Sequence, residues 1–280
     1  MQVGQVAVRA EGLILGHGGV VALAESDFSI NRGKVTAVIG PNGAGKSTVL
    51  NAIAGLIEPM AGTLEVTVAT PGSSRIAYVL QTTKINESLP ISVREVVTMG
   101  RYAGTGLYRR LTEKDRAAVE LAIERTGITD IQGKHLDELS GGQRQRVFVA
   151  QGLAQDHDIL LLDEPLTGLD LPTAQAIDVV IHNERSRGCA VIMTTHDLSE
   201  AQVADHVLLL SGRVVASGPP QEVLTTENLT AAYGQALLHI EEGKVFLDDP
   251  AHIPVPGRHA HRERSIHTEA SPSDLHGDEG

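Results

Sequence analysis

Two short stretches carry residue types whose spacing could do chemistry. GPNGAGKST, Gly40 to Thr48, fits G-x-x-x-x-G-K-[ST]. Glycines let a backbone wrap closely enough for several N–H groups and a helix N-terminus to face a β-phosphate. Lys46 can then reach the β- and γ-phosphates, and the Ser47 hydroxyl can ligate Mg²⁺. Gly40, Pro41, Asn42, Gly43, Ala44, Gly45 and Thr48 complete the cradle. Without nucleotide, the Lys46 ammonium is expected to be largely solvated. ILLLDE, Ile159 to Glu164, supplies carboxylates to match. Asp163, at the end of an apolar run, would sit where Mg²⁺ is held, and Glu164 could take a proton from an attacking water. A chance glycine turn and a chance Asp-Glu pair are the bland alternatives. Their order and flanking elements argue against both.

A third stretch raises a question. LSGGQ, Leu139 to Gln143, is another glycine-rich turn, and it opens the helical run RQRVFVAQGLAQ. Free N–H groups at such a helix start also suit phosphate. One nucleotide site does not need two such turns.

The surrounding elements must position these residues. VTAVIG, DILLLDE and CAVIMTTH are short continuous apolar runs, the pattern of parallel strands buried on both faces. STVLNAIAGL and TAQAIDVVIHNERSRG are helical segments between them. Residues 3–30, with a turn at GHGG (Gly16 to Gly19), predict antiparallel strands, and TLEVTV and RIAYVL are further strand candidates. From Ser92 to about Gln155 the pattern is helical: VREVVTMGRY, EKDRAAVELAIERTG and RQRVFVAQGLA. HVLLLSGRVVASG predicts a hairpin turning at Ser-Gly. Strands alternating with helices predict a parallel α/β core, with antiparallel strands before it and a helical insertion within it.

Composition removes several alternatives. A formal charge of −12 is the wrong sign for a nucleic-acid partner. A single cysteine, Cys189, excludes a disulfide framework, and its apolar setting predicts a buried, inert thiol. No basic-then-apolar leader is visible at the N-terminus, and no apolar run approaches the ~20 residues that cross a bilayer. A soluble chain is expected.

In order and approximate spacing, Gly40 to Thr48, Gln81, Leu139 to Gln143, Ile159 to Glu164, Asp170 and His196 resemble the ATP-binding subunits of ABC transporters. The resemblance spans about residues 3–240, the expected ATP-binding domain, and implies an α/β phosphate-loop NTPase core (RecA-like) with an antiparallel β subdomain and a helical insertion, the helical subdomain at about 88–155. LSGGQ is its most specific part. The resemblance implies a head-to-tail homodimer in the ATP-bound state, in which the glycine turn of one subunit (Ser140, Gly141, Gly142, Gln143) faces the γ-phosphate held by the other. That would answer the second-turn question. It further implies that Gln81 touches Mg²⁺ or the attacking water, that His196 contacts the γ-phosphate, and that Asp170 crosses the dimer interface. Taken alone, a Gln after a strand or a His at a strand end means little. His17 stands where the family usually has an aromatic residue under adenine; it either stacks there or is a turn residue without base contact. Gln151 stands where many members have Arg.

ATP and Mg²⁺ are the implied cofactors. The implied partners are integral membrane permease subunits and, indirectly, an extracytoplasmic substrate-binding protein, with the chain on the cytoplasmic face of the cell membrane. ISVREVVTMGRY (Ile91 to Tyr102) is similar to the matching segment of metal and metal-chelate importers, and LTAAYG and VFLDDPAH resemble zinc and manganese uptake ATPases. A chelate importer for iron–siderophore or cobalamin-type cargo is the alternative. A soluble ABC protein acting on ribosomes or DNA fits poorly, since the chain has one cassette and an acidic balance. Residues 249–280 form a His-rich tail of expected disorder. Its His259, His261, His267 and His276, with Asp274, Asp278 and Glu279, are either a solvated terminus or a weak Zn²⁺ site lost as imidazoles protonate near pH ~6.

Overall fold

The computed structural model describes residues 6–68, 75–80, 90–105, 110–234, 238–241 and 244–247. The chain divides into two units, residues 1–247 and 248–280, and the His-rich tail lies outside the described residues.

Strands β1 (Val6–His17), β2 (Val20–Asn31) and β4 (Ala61–Val66) form an antiparallel sheet in the order β2-β1-β4. Its hairpin turns at Gly18 and Gly19, whose φ values of 57° and 83° are those a two-residue primed turn demands and glycine supplies without strain. A second sheet has the order β5-β6-β7-β3-β8-β9, from β3 (Val35–Ile39), β5 (Ile76–Val79), β6 (Ile159–Asp163), β7 (Ala190–Thr194), β8 (His206–Leu210) and β9 (Val214–Gly218). Pairings from β5 through β8 are parallel, and β9 closes the edge antiparallel to β8. The apolar runs are continuous because both faces are covered, and strand alternation sorts their residues into two cores. Ala37, Leu160, Leu162, Val191 and Leu209 join the core beneath the larger helices. Val38, Leu161, Ile192 and Leu208 join the core that α1 (Lys46–Ile53) and the antiparallel sheet complete.

Between β5 and β6 the chain inserts α2 (Val93–Thr105), α3 (Glu113–Arg125) and α4 (Gly141–Ala154). Thr112 and Asp115 close a capping box at the start of α3. Asp115 also pairs with buried Arg101 of α2 at 2.8 Å, and Arg101 donates to the Ala154 carbonyl at 2.6 Å. One guanidinium thus ties all three helices together. Where α2 meets α4, a Cβ on Gly100 would lie 2.2 Å from the Gln151 carbonyl oxygen, so only glycine fits the approach. That backbone contact is what Gln151 contributes; nothing in the structure explains the choice of its side chain. Helices α5 (Leu171–Ser186), α6 (Leu198–Val203), α7 (Pro220–Val223) and α8 (Thr226–Tyr233) follow, then β10 (Leu238–Glu241) paired with β11 (Lys244–Leu247). No helix among the described residues is long and apolar enough to cross a membrane.

Candidate functional site

Parallel strands that end level with one another deliver their loops to one edge of the sheet, the usual seat of ligands in open α/β folds. Thr194 is in register with Asp163 on one side and Val38 on the other. The loops after β3, β6 and β7 therefore leave together, carrying Gly40–Thr48, Glu164 and His196.

The first loop is shaped by glycines at three left-handed positions. Gly40 (φ 151°) passes so close to β8 that a Cβ would sit 2.2 Å from the Leu210 carbonyl oxygen, and Gly45 (φ 98°) comes within 2.9 Å of that of Ala22 in the same sense. Gly43 (φ 79°) faces open space. Pro41 is half-buried, Asn42 and Ser47 are exposed, and Ala44 is buried. The expected solvation of Lys46 is not what the structure shows. Its side chain is buried and its ammonium donates to the carbonyls of Gly40 at 2.7 Å and Pro41 at 3.2 Å. The loop curls around the lysine, an arrangement that linear spacing does not reveal. Burial lowers the Lys46 pKa, against the opposing pull of Glu164 and Asp163.

Ser47 Oγ lies 3.4 Å from Asp163 Oδ1. The two offer a hydroxyl from α1 and a carboxylate from β6, an all-oxygen pair of the kind a hard cation takes. Thr194, whose role the sequence reading missed, organises this corner. Its hydroxyl donates to Asp163 Oδ1 at 2.5 Å and accepts from the Glu164 backbone N–H at 2.9 Å. Its signal was a threonine in place of an apolar residue at the end of CAVIMT, legible only once β6 is known to be its neighbour. Glu164 has φ 48°, the one non-glycine positive φ among the described residues, a conformation that costs energy and concentrates at functional sites. Its Oε1 is 3.9 Å from His196 Nδ1, and the imidazole is exposed. A carboxylate and an imidazole there could move a proton from water and contact a phosphate.

The second glycine turn stands apart. Ser140 is the N-cap of α4, and it closes a capping box: the Gln143 N–H donates to Ser140 Oγ at 3.3 Å, and the Ser140 N–H donates to Gln143 Oε1 at 3.0 Å. S-x-x-Q was readable in LSGGQ as that motif. Gly141 is exposed with open space where a Cβ would point, whereas a Cβ on Gly142 would lie 3.1 Å from the Thr173 hydroxyl oxygen of α5. No hydrogen bond or ion pair among the described residues joins Leu139–Gln143 to Gly40–Thr48. Asp170 precedes α5, exposed, with no cap bond from its side chain. His17 ends β1, exposed beside the glycine hairpin. Gln81 lies outside the described residues.

Residues 23–167 match the ABC transporter family. The chelated iron transport system membrane protein YfeB of Yersinia pestis is 38% identical over 239 residues, covering 83% of this chain and 80% of its own. The zinc transport system ATP-binding protein TroB of Treponema pallidum is 39% identical over 232 residues, covering 81% and 87%. A solved structure described as an inward-facing metal-chelate type ABC transporter superposes with a TM-score of 0.73 at 28% identity, covering 86% of this chain and 95% of that one. The glycine loop, the strand-end carboxylates and the detached LSGGQ turn thus have their explanation in one lineage: the chain belongs to the ABC transporter family, as an ATP-binding subunit whose ATP hydrolysis is coupled to transport.

Proposed function

We propose that this subunit energises an importer for divalent metal ions such as zinc or manganese, at the cytoplasmic face of a membrane, with separate permease subunits and an extracytoplasmic binding protein. ATP is bound by the Gly40–Thr48 loop, with Lys46 exchanging its bonds to Gly40 and Pro41 for the β- and γ-phosphates. Ser47, Asp163 and Gln81 would hold Mg²⁺, which when bound neutralises charge on the phosphate oxygens. Glu164 accepts the proton of the attacking water, and His196 contacts the γ-phosphate. Two chains close head to tail, so that Ser140, Gly141, Gly142 and Gln143 of one, with Asp170 at the junction, cover the nucleotide held by the other. His17 lies beside the adenine.

One observation carries the dimer: the LSGGQ turn is shaped at the start of α4, with Ser140 and Gly141 exposed, yet it makes no bond to its own phosphate loop. A self-complementary two-fold pairing gives it a nucleotide to face. The cargo is supported by the similarity to TroB, a zinc transport protein. A second reading, an importer of chelated iron or a similar complex, is supported by YfeB and by the metal-chelate type structure. Removing the chain from its native cell and following uptake of zinc, manganese and a ferric chelate tests both. Loss of zinc or manganese uptake upholds the first reading, and loss of chelate uptake alone replaces it with the second. Unchanged uptake of all three overturns import.

A further inference from the structure

At the opposite edge of the parallel sheet, where β6 and β7 begin, lies a cluster that nucleotide chemistry does not use. His157 precedes β6, Cys189 immediately precedes β7, and Glu184 sits in the last turn of α5. His157 and Glu184 side chains are 3% and 2% exposed, and Cys189 is buried. One ligating atom from each lies within 4.8 Å of the other two.

The oxygens of Glu184 are divided in their tasks. Oε1 pairs with Arg125 at 2.6 Å and accepts from Arg187 at 3.0 Å. Oε2 faces His157 Nε2 at 3.1 Å, with Arg187 at a longer 3.4 Å. His157 Nδ1 lies 2.9 Å from the Gln155 carbonyl oxygen, which can only accept. An imidazole that donates through one nitrogen to a backbone carbonyl is oriented as metal-bound histidines are, with its other nitrogen as the ligand; ligating carboxylates are likewise hydrogen-bonded from behind. Arg187 donates to Oε1 and the Arg125 guanidinium forms an ion pair with it, which supplies that backing. Tetrahedral bonds of ~2.0–2.1 Å to nitrogen and oxygen set those two ligands roughly 3.3 Å apart. The 3.1 Å separation already present is close to it. The thiol has to approach by about 1 Å, the difference between its present range and a sulfur–metal geometry of ~2.3 Å bonds.

A cleft of about 220 Å³ has His157, Arg125, Arg187 and Arg75 in its wall, so that His157 is the ligand it reaches, and the Arg187 side chain is largely exposed. The Cys189 thiol donates to the Ala190 carbonyl oxygen at 3.6 Å, and a cation bound by the sulfur takes the place of that proton.

We infer that His157, Glu184 and Cys189 bind one zinc-class divalent ion, with a water from the cleft as fourth ligand. Sulfur and imidazole donors select a borderline-soft ion over Mg²⁺ or Mn²⁺. Binding displaces the thiol proton and the proton held between His157 and Glu184, both to solvent. The site does not depend on which cargo is imported.

Cobalt titration of the full chain, followed by absorbance, tests this. The sequence contains one cysteine, so any thiolate-to-cobalt charge-transfer band must come from Cys189. The expected result is a near-ultraviolet band saturating at one Co²⁺ per chain and removed by Zn²⁺. Cys189→Ser abolishes the band, and His157→Asn weakens the affinity more than about tenfold. The tail imidazoles cannot produce such a band. Cobalt bound by the wild-type chain without a sulfur band, or no saturable band at all, overturns the site, and neither outcome depends on a variant folding.

Discussion

Lys46 and Glu164 are held differently, and their substitutions should fail differently. Lys46 is anchored by two carbonyls of its own loop. Lys46→Ala leaves those carbonyls short of a donor, at a stability cost of about 1 kcal/mol. Turnover should fall by more than about 100-fold, the scale of losing a preorganised charge at a reacting phosphate. Steady-state ATPase rates beside thermal unfolding separate the two effects; near wild-type turnover would remove this loop from the mechanism. Glu164 reaches the site through a positive φ, held by the Thr194 hydroxyl on its backbone. Glu164→Gln keeps that backbone and the side-chain shape, but the amide cannot accept a proton. Hydrolysis should drop by about 10²–10⁴ while ATP binding persists. Dimers should then accumulate with ATP, visible as a doubled mass in light scattering. A variant that turns over normally would sink the assignment of the base.

At the scale of elements, Gly100 sets two rules against each other. Helix propensity alone makes Gly100→Ala stabilising by up to about 1 kcal/mol. The 2.2 Å approach to the Gln151 carbonyl predicts instead that α2 and α4 are forced apart, at a cost of about 1–3 kcal/mol. Urea unfolding decides by its sign. The α2–α3 joint has a pH dependence. Hydrogen bonds from the Thr112 hydroxyl and N–H, and then Arg101, hold the Asp115 carboxyl well below the usual carboxylate range. Its contribution is therefore whole above pH ~4 and lost as pH falls below that. Asp115→Asn should lower Tm at neutral pH and flatten the acid limb of a Tm-against-pH profile; an unchanged limb would mean that other carboxylates govern it. These elements were largely legible, because periodicity and continuous apolar runs are local: α2, α3, α4 and α5 lie where the helical patterns ran, and β3, β6 and β7 where the apolar runs stood. Strand order was not, since β3 lies between β7 and β8 by pairings far apart in sequence. The burial of Lys46 and the bridging by Thr194 escaped for the same reason, as each depends on which backbone the fold brings alongside.

For the whole molecule, the proposed head-to-tail dimer predicts complementation. Lys46→Ala breaks the loop side of a composite site, and Ser140→Arg breaks the turn side. Each variant alone should be inactive. In an equal mixture, half the dimers are mixed and each of these retains one intact site of two, so about a quarter of wild-type turnover should return. Silence in the mixture, with mixed dimers demonstrated by mass, would argue that loop and turn do not meet across an interface. The capping box at Ser140 and Gln143 bears on how such a dimer forms. Its two hydrogen bonds already close in the single chain. Docking then loses tumbling and translational freedom but little local chain entropy, because the recognition turn is preorganised before the partner arrives. In the proposed dimer the ATP-driven encounter would be the meeting of rigid surfaces, and its reversibility after hydrolysis would follow: nothing has to unfold for the two halves to part.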